Sequence, residues 1–70
     1  MIVETVTLGD YKANLYKYKL GYQYKIFTRL KGKNTCVAQN YTYVFDKNVC
    51  RDMMMNDLHA TIGIVKDLFH

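Results

Sequence analysis

Seventy residues, half of them apolar, suffice for one folded domain with one modest core. The net charge of +4 is moderate, and no apolar run approaches the roughly 20 residues that a membrane-crossing helix needs. Two cysteines are too few for a disulfide scaffold, and Met1-Ile2-Val3-Glu4 carries an acid where a secretory leader would be basic. The expectation is a cytoplasmic domain over 1–70 with reduced thiols, in which the sequon Asn40-Tyr41-Thr42 is a chance match. A core this small leaves partner binding or homodimerisation as a source of extra stabilisation.

In chain order, Ile2 to Leu8 is rich in β-branched residues, and Gly9-Asp10 suits a two-residue hairpin turn into a strand starting at Tyr11. Further breaks fall at Gly21 and at Lys31-Gly32-Lys33-Asn34. Strands are predicted at about 2–8, 11–19, 22–30 and 35–44, as a four-stranded antiparallel meander.

Asp46 is a suitable N-cap for a helix running to about Phe69. Steps of 100° place Cys50, Met54, Leu58, Thr61, Val65, Leu68 and Phe69 on one stripe, opposite Asp52, Asn56, His59, Lys66, Asp67 and His70. The weak point is Thr61-Ile62-Gly63-Ile64-Val65, where Gly63 costs about 1 kcal/mol in a helix and its neighbours favour strands. A shorter helix followed by a fifth strand is the alternative. The predicted fold class is α+β, a ββββα arrangement with the helix on one face of the sheet.

That arrangement leaves the other face for solvent or a partner. Tyr22, Tyr24, Ile26 and Leu30 alternate with Gln23, Lys25, Phe27, Arg29 and Lys31, and the first set belongs under the helix. Two registers are open for the neighbouring strand. A two-residue turn at Leu20-Gly21 sets Tyr16 opposite Lys25 and Tyr18 opposite Gln23 on the open side, with Lys12 near Arg29. It also keeps Val6, Leu8, Tyr11, Ala13 and Leu15 together on the buried side, and is preferred for that reason. A three-residue turn closed by Gly21 instead buries Tyr16 and Tyr18 and brings Lys17 onto the open face.

Charge is split along the chain. Lys12, Lys17, Lys19, Lys25, Arg29, Lys31 and Lys33 lie between Tyr11 and Phe45 with no Asp or Glu among them, and all seven tyrosines fall in the same stretch. Lysine and arginine neutralise phosphates, and rings exposed on a sheet stack on unpaired bases. The expected function is nucleic-acid binding (DNA or RNA) through Lys12, Tyr16, Tyr18, Lys25, Phe27, Arg29 and Lys31. The plainer reading is that tyrosine suits strands and lysine protects sheet edges. An acidic protein is the alternative partner, with the chain as a regulator or inhibitor.

Other constellations carry less. The spacings of Cys36, Cys50, His59 and His70 match no zinc pattern, and His59 and His70 would stand about 16 Å apart on a straight helix. Asp57 and His59, two apart, do not face each other on a helix. There is no nucleophile elbow or paired-carboxylate motif, and Lys31-Gly32-Lys33-Asn34 lacks the order of a phosphate-binding loop. Neither catalysis nor a cofactor is expected. Met53-Met54-Met55 must point to three sides of a helix, with Met54 in the core and its neighbours filling the margins or meeting a partner.

From Lys12 to Leu58 the chain resembles the three-strand-plus-helix DNA-binding modules of integrases and related plant factors. The likeness lies in element order, the run Tyr22-Gln23-Tyr24-Lys25-Ile26 and the step into the helix at Phe45-Asp46. It implies a sheet face that reads the major groove, and no site residue is transferred from it. A very small, motif-free chain beginning with Met1 also resembles phage or mobile-element accessory proteins, which implies inhibition of a host factor by binding.

Overall fold

The computed structural model describes residues 1–68. Four strands, β1 (Ile2–Leu8), β2 (Tyr11–Tyr18), β3 (Gly21–Leu30) and β4 (Lys33–Thr42), precede one helix, α1 (Lys47–Leu68). The strands pair antiparallel in the order β1-β2-β3-β4, so the fold is the expected α+β, ββββα arrangement. β4 begins and ends two residues earlier than its predicted span, which leaves Tyr43 to Phe45 outside the sheet.

All three hairpins turn on two residues. Leu8 pairs with Tyr11 around Gly9-Asp10, as expected. Leu30 pairs with Lys33 around Lys31 (φ 53°) and Gly32 (φ 79°). Two positive φ angles in a row make the type I′ turn whose twist matches that of the strands, and glycine fills one of them without strain. The middle turn differs from expectation. Tyr18 pairs with Gly21, so the turn is Lys19-Leu20, not Leu20-Gly21. Gly21 is needed for another reason: at φ 143° an added Cβ would lie 2.0 Å from the carbonyl oxygen of Thr42.

The shift moves each partner by two places and leaves the faces unchanged. Tyr16 lies opposite Gln23 and not Lys25, Tyr18 opposite Gly21 and not Gln23, and Lys12 opposite Phe27 and not beside Arg29. Tyr16 and Tyr18 stay on the open face. Lys17 points to the helix side, where its ammonium sits 4.6 Å from the ring centre of Tyr22 and 5.2 Å from that of Phe45.

Asp46 caps the helix: its Oδ1 accepts from the amides of Asn48 (2.9 Å) and Val49 (3.4 Å). The helix runs through Gly63 to Leu68, so residues 61–65 form no fifth strand. The 3.6-residue stripe outweighs local strand preference there, because Leu58 and Thr61 are buried on it and Val65 is half-buried. The side chain of Leu68, and Phe69 and His70, which were placed at the helix end, lie outside the described residues.

The helix packs on β2, β3 and β4. Ala13, Leu15, Tyr22, Tyr24, Ile26, Cys50, Met54 and Leu58 form the core between the layers. Each large aliphatic side chain so buried contributes about 1.5–3 kcal/mol. Leu8, assigned to the buried side, is 40% exposed at the end of β1. Met53 and Met55 pack at the margins.

A part-buried polar contact ties the layers: the Tyr24 hydroxyl donates to Asp57 Oδ2 at 2.8 Å, and within the helix the Thr61 hydroxyl donates to Asp57 Oδ1 at 3.4 Å. At the other end, Glu4 pairs with Arg51 and Lys47 of the helix. A bulge in β1 allows this. Pairing passes from Ile2↔Tyr16 to Glu4↔Leu15, so Val3 and Glu4 both meet the helix side while Ile2 joins the open face.

Candidate nucleic-acid interface

The face away from the helix is built in rows that follow from the register. Thr5, Asn14, Lys25 and Gln39 make one row across the four strands, and Thr7, Lys12, Phe27 and Cys36 the next. Toward the β2–β3 turn come Ile2, Tyr16, Gln23 and Tyr41. Toward the opposite end Arg29 pairs with Asn34.

Aromatic rings fill one end of this face. Tyr16 and Tyr18 have ring centres 6.4 Å apart, Tyr18 and Tyr41 5.8 Å, and Tyr41 and Tyr43 5.3 Å at 68°. These are contact distances for tilted and edge-on rings, so the four tyrosines form one continuous strip. It is open to solvent, with Tyr43 72% exposed. Tyr16 is held from below. Asn14, nearly buried, donates to the Tyr16 hydroxyl at 3.3 Å and accepts from Thr5 at 2.9 Å. The ammonium of Lys25 lies 5.5 Å from the Tyr16 ring centre, within reach of the attraction between a cation and an aromatic face.

Sorting of charge by face is sharper than sorting along the chain. The open face carries Lys12, Lys25 and Arg29, and none of the six carboxylates is on it. Glu4 is on the helix side, Asp10 in a turn, Asp46 at the cap, and Asp52, Asp57 and Asp67 on the helix. Ions that approach the middle of the open face therefore meet positive charge, while at its far end Asp10 lines the same hollow as Arg29.

Of the residues singled out from sequence, Lys12, Tyr16, Tyr18, Lys25, Phe27 and Arg29 share this face. Lys31 stands apart, at the tip of the β3–β4 turn. Tyr41, Tyr43, Asn14 and Gln39 were missed as site residues. For Tyr41 the signal was present, since period-two alternation around the buried Thr42 sends it away from the helix. From Gly21 to Arg29 the face runs about 27 Å at about 3.4 Å per residue.

A shallow hollow of about 330 Å³ interrupts the face, lined by Lys25, Phe27, Cys36, Val37, Ala38 and Gln39. It lies where pairing jumps from Ile26↔Ala38 to Phe27↔Cys36.

The groups considered for metal or nucleophilic chemistry are scattered. Cys36 is exposed on the open face, whereas Cys50 is buried under the helix with its thiol on the carbonyl of Val44 at 3.5 Å. Burial pushes the Cys50 thiol above its ordinary pKa, with Asp46 adding to the rise and Lys17 opposing it. His59 is exposed, and Asp57 faces Tyr24 and Thr61. No group of three or more His, Cys, Asp or Glu side chains that could hold a metal gathers among the described residues. No described helix is long and apolar enough to cross a membrane.

No family of known proteins, no curated protein and no solved structure matches this chain.

Proposed function

We propose that this chain is a non-enzymatic, cytoplasmic binding protein whose open sheet face takes up nucleic acid as an unpaired strand. One observation carries the reading: cations and exposed rings share a face that holds no Asp or Glu side chain. Lys12, Lys25 and Arg29 neutralise phosphates, and Phe27 with the strip of Tyr16, Tyr18, Tyr41 and Tyr43 stacks on bases or sugars, at about 1–3 kcal/mol per base. Rings at one end and cations along the middle favour a flexible strand, because bases inside a duplex are already stacked. Fluorescence anisotropy with a labelled single strand at low salt tests it. The wild-type chain binds and a Lys25→Glu/Arg29→Glu variant does not; a wild-type chain that retains no oligonucleotide ends this reading.

A second reading, a regulator or inhibitor that binds an acidic protein, draws support from apolar side chains at one end, Tyr43 of the ring strip among them. Leu20, Tyr43, Phe45 and Val49 are 59%, 72%, 63% and 44% exposed around one end of the molecule. Apolar side chains gathered in this way mark protein contacts. Recovery of one stoichiometric protein after nuclease treatment, lost in a Tyr43→Ser/Phe45→Ser variant, favours it. Recovery unchanged by that variant counts against it.

A further inference from the structure

We infer that the hollow beside Val37 is a pocket for one unpaired base of the bound strand, an assignment that rests on the nucleic-acid reading above. Its origin is in the register. β4 carries one more residue than β3 between Ala38 and Cys36, so Val37 falls outside the ladder. Val37 and Ala38 both pack toward the core. On the open side, Gln39 and Cys36 are thus three residues apart instead of two, and the hollow lies at this widened spacing.

The size of the gap suits a single base. About 330 Å³ is at the small end of pockets that hold small molecules, about 300–1,000 Å³. The lining suits one too. Phe27 is half-buried, so part of its surface is held in place and part is open for stacking. The Gln39 amide has both a donor and an acceptor for the edge of a base, and it is exposed on the edge strand. Lys25 supplies a cation at the rim for the adjoining phosphate. No carboxylate lines the hollow. A flat ring, an amide and one cation together fit a flat heteroaromatic base on an anionic chain.

Cys36 offers a direct readout, because it lines the hollow and is exposed while Cys50 is buried. The experiment follows alkylation of Cys36 by iodoacetamide on the full chain at low salt. It compares a strand of eight deoxyadenosines with an abasic strand of the same length, each at about ten times its dissociation constant. The deoxyadenosine strand should slow alkylation by about tenfold, and the abasic strand should bind and leave the rate unchanged. If both strands bind and both protect, or neither protects, the pocket is overturned while binding to the face stands. If neither strand binds, the nucleic-acid reading falls and the pocket with it.

A second variant tests occupancy without the thiol. Cys36→Leu fills the hollow from an exposed position without adding a ring. It should weaken the deoxyadenosine strand by about tenfold, the loss of one stacked base, and leave abasic binding unchanged. An unchanged affinity for the base-bearing strand overturns the assignment.

Discussion

The two faces of one sheet divide the work of this chain. Beneath the helix, Ala13, Leu15, Ile26, Met54 and Leu58 have no exposed surface, and the polar groups there are paired. On the other face, rings and cations of the same strands stay in solvent. Tyrosine shows the contrast most directly. Tyr22 and Tyr24 are 8% and 3% exposed as core residues, whereas Tyr18, Tyr41 and Tyr43, a few residues away, line the open face. Residue type is shared between the two; for the tyrosines within strands the pleat decides which role each takes.

Paired truncations test that division. Leu58→Ala should cost about 3 kcal/mol in urea unfolding, because it leaves a cavity in the core. Phe27→Ala should cost about 1 kcal/mol of stability and yet weaken single-strand binding about tenfold. Equal stability losses would erase the distinction between the faces. Gly21→Ala belongs with the large effects. Its side chain would strike the Thr42 carbonyl at a φ that favours glycine, so a loss of about 3 kcal/mol is expected. A variant as stable as wild type would show that β4 yields easily there.

The polar tie on the covered face predicts a pH signature. Burial first, and then the hydrogen bond to Asp57, raise the Tyr24 hydroxyl above the ordinary value of 10.0. The folded state therefore holds this proton to higher pH than the unfolded chain does. Its contribution is fully present below pH 10 and is lost as pH rises through the raised value. Tyr24→Phe should cost about 1 kcal/mol near neutrality and flatten the alkaline loss measured by urea midpoints. Cys50, also pushed up from 9.0, keeps that loss from vanishing. Parallel alkaline limbs in the two proteins would contradict this account of Tyr24. The smallest effect has the opposite sign. Gly63 is exposed with open space around an added Cβ, so Gly63→Ala should stabilise by about 1 kcal/mol without touching either face.

What could be read in advance was what depends on neighbours in sequence. The alternation from Tyr22 to Leu30, the Gly9-Asp10 turn, the Asp46 cap and the stripe from Cys50 to Thr61 all have local causes. Gly21 was legible as a break, but its cause is a carbonyl on β4, at Thr42, which no local signal announces. The bulges at Val3 and Val37 were hidden as well, since each sits at a valine with no glycine nearby to mark it. That is why the rows of the open face were foreseen in kind and displaced by two residues between β2 and β3. It is also why the hollow beside Phe27 was not foreseen at all.

The claim that the open face is the binding face is tested most directly by the salt dependence of single-strand affinity. Three cations on phosphates of a single strand give a slope of log affinity against log salt of about −2, or about −0.7 per contact. Lys25→Ala should bring the slope closer to zero by about 0.7. Lys66→Ala, which removes an exposed cation from the helix, should leave it unchanged. Equal changes in the two variants, or a wild-type affinity indifferent to salt, would contradict the assignment of binding to this face.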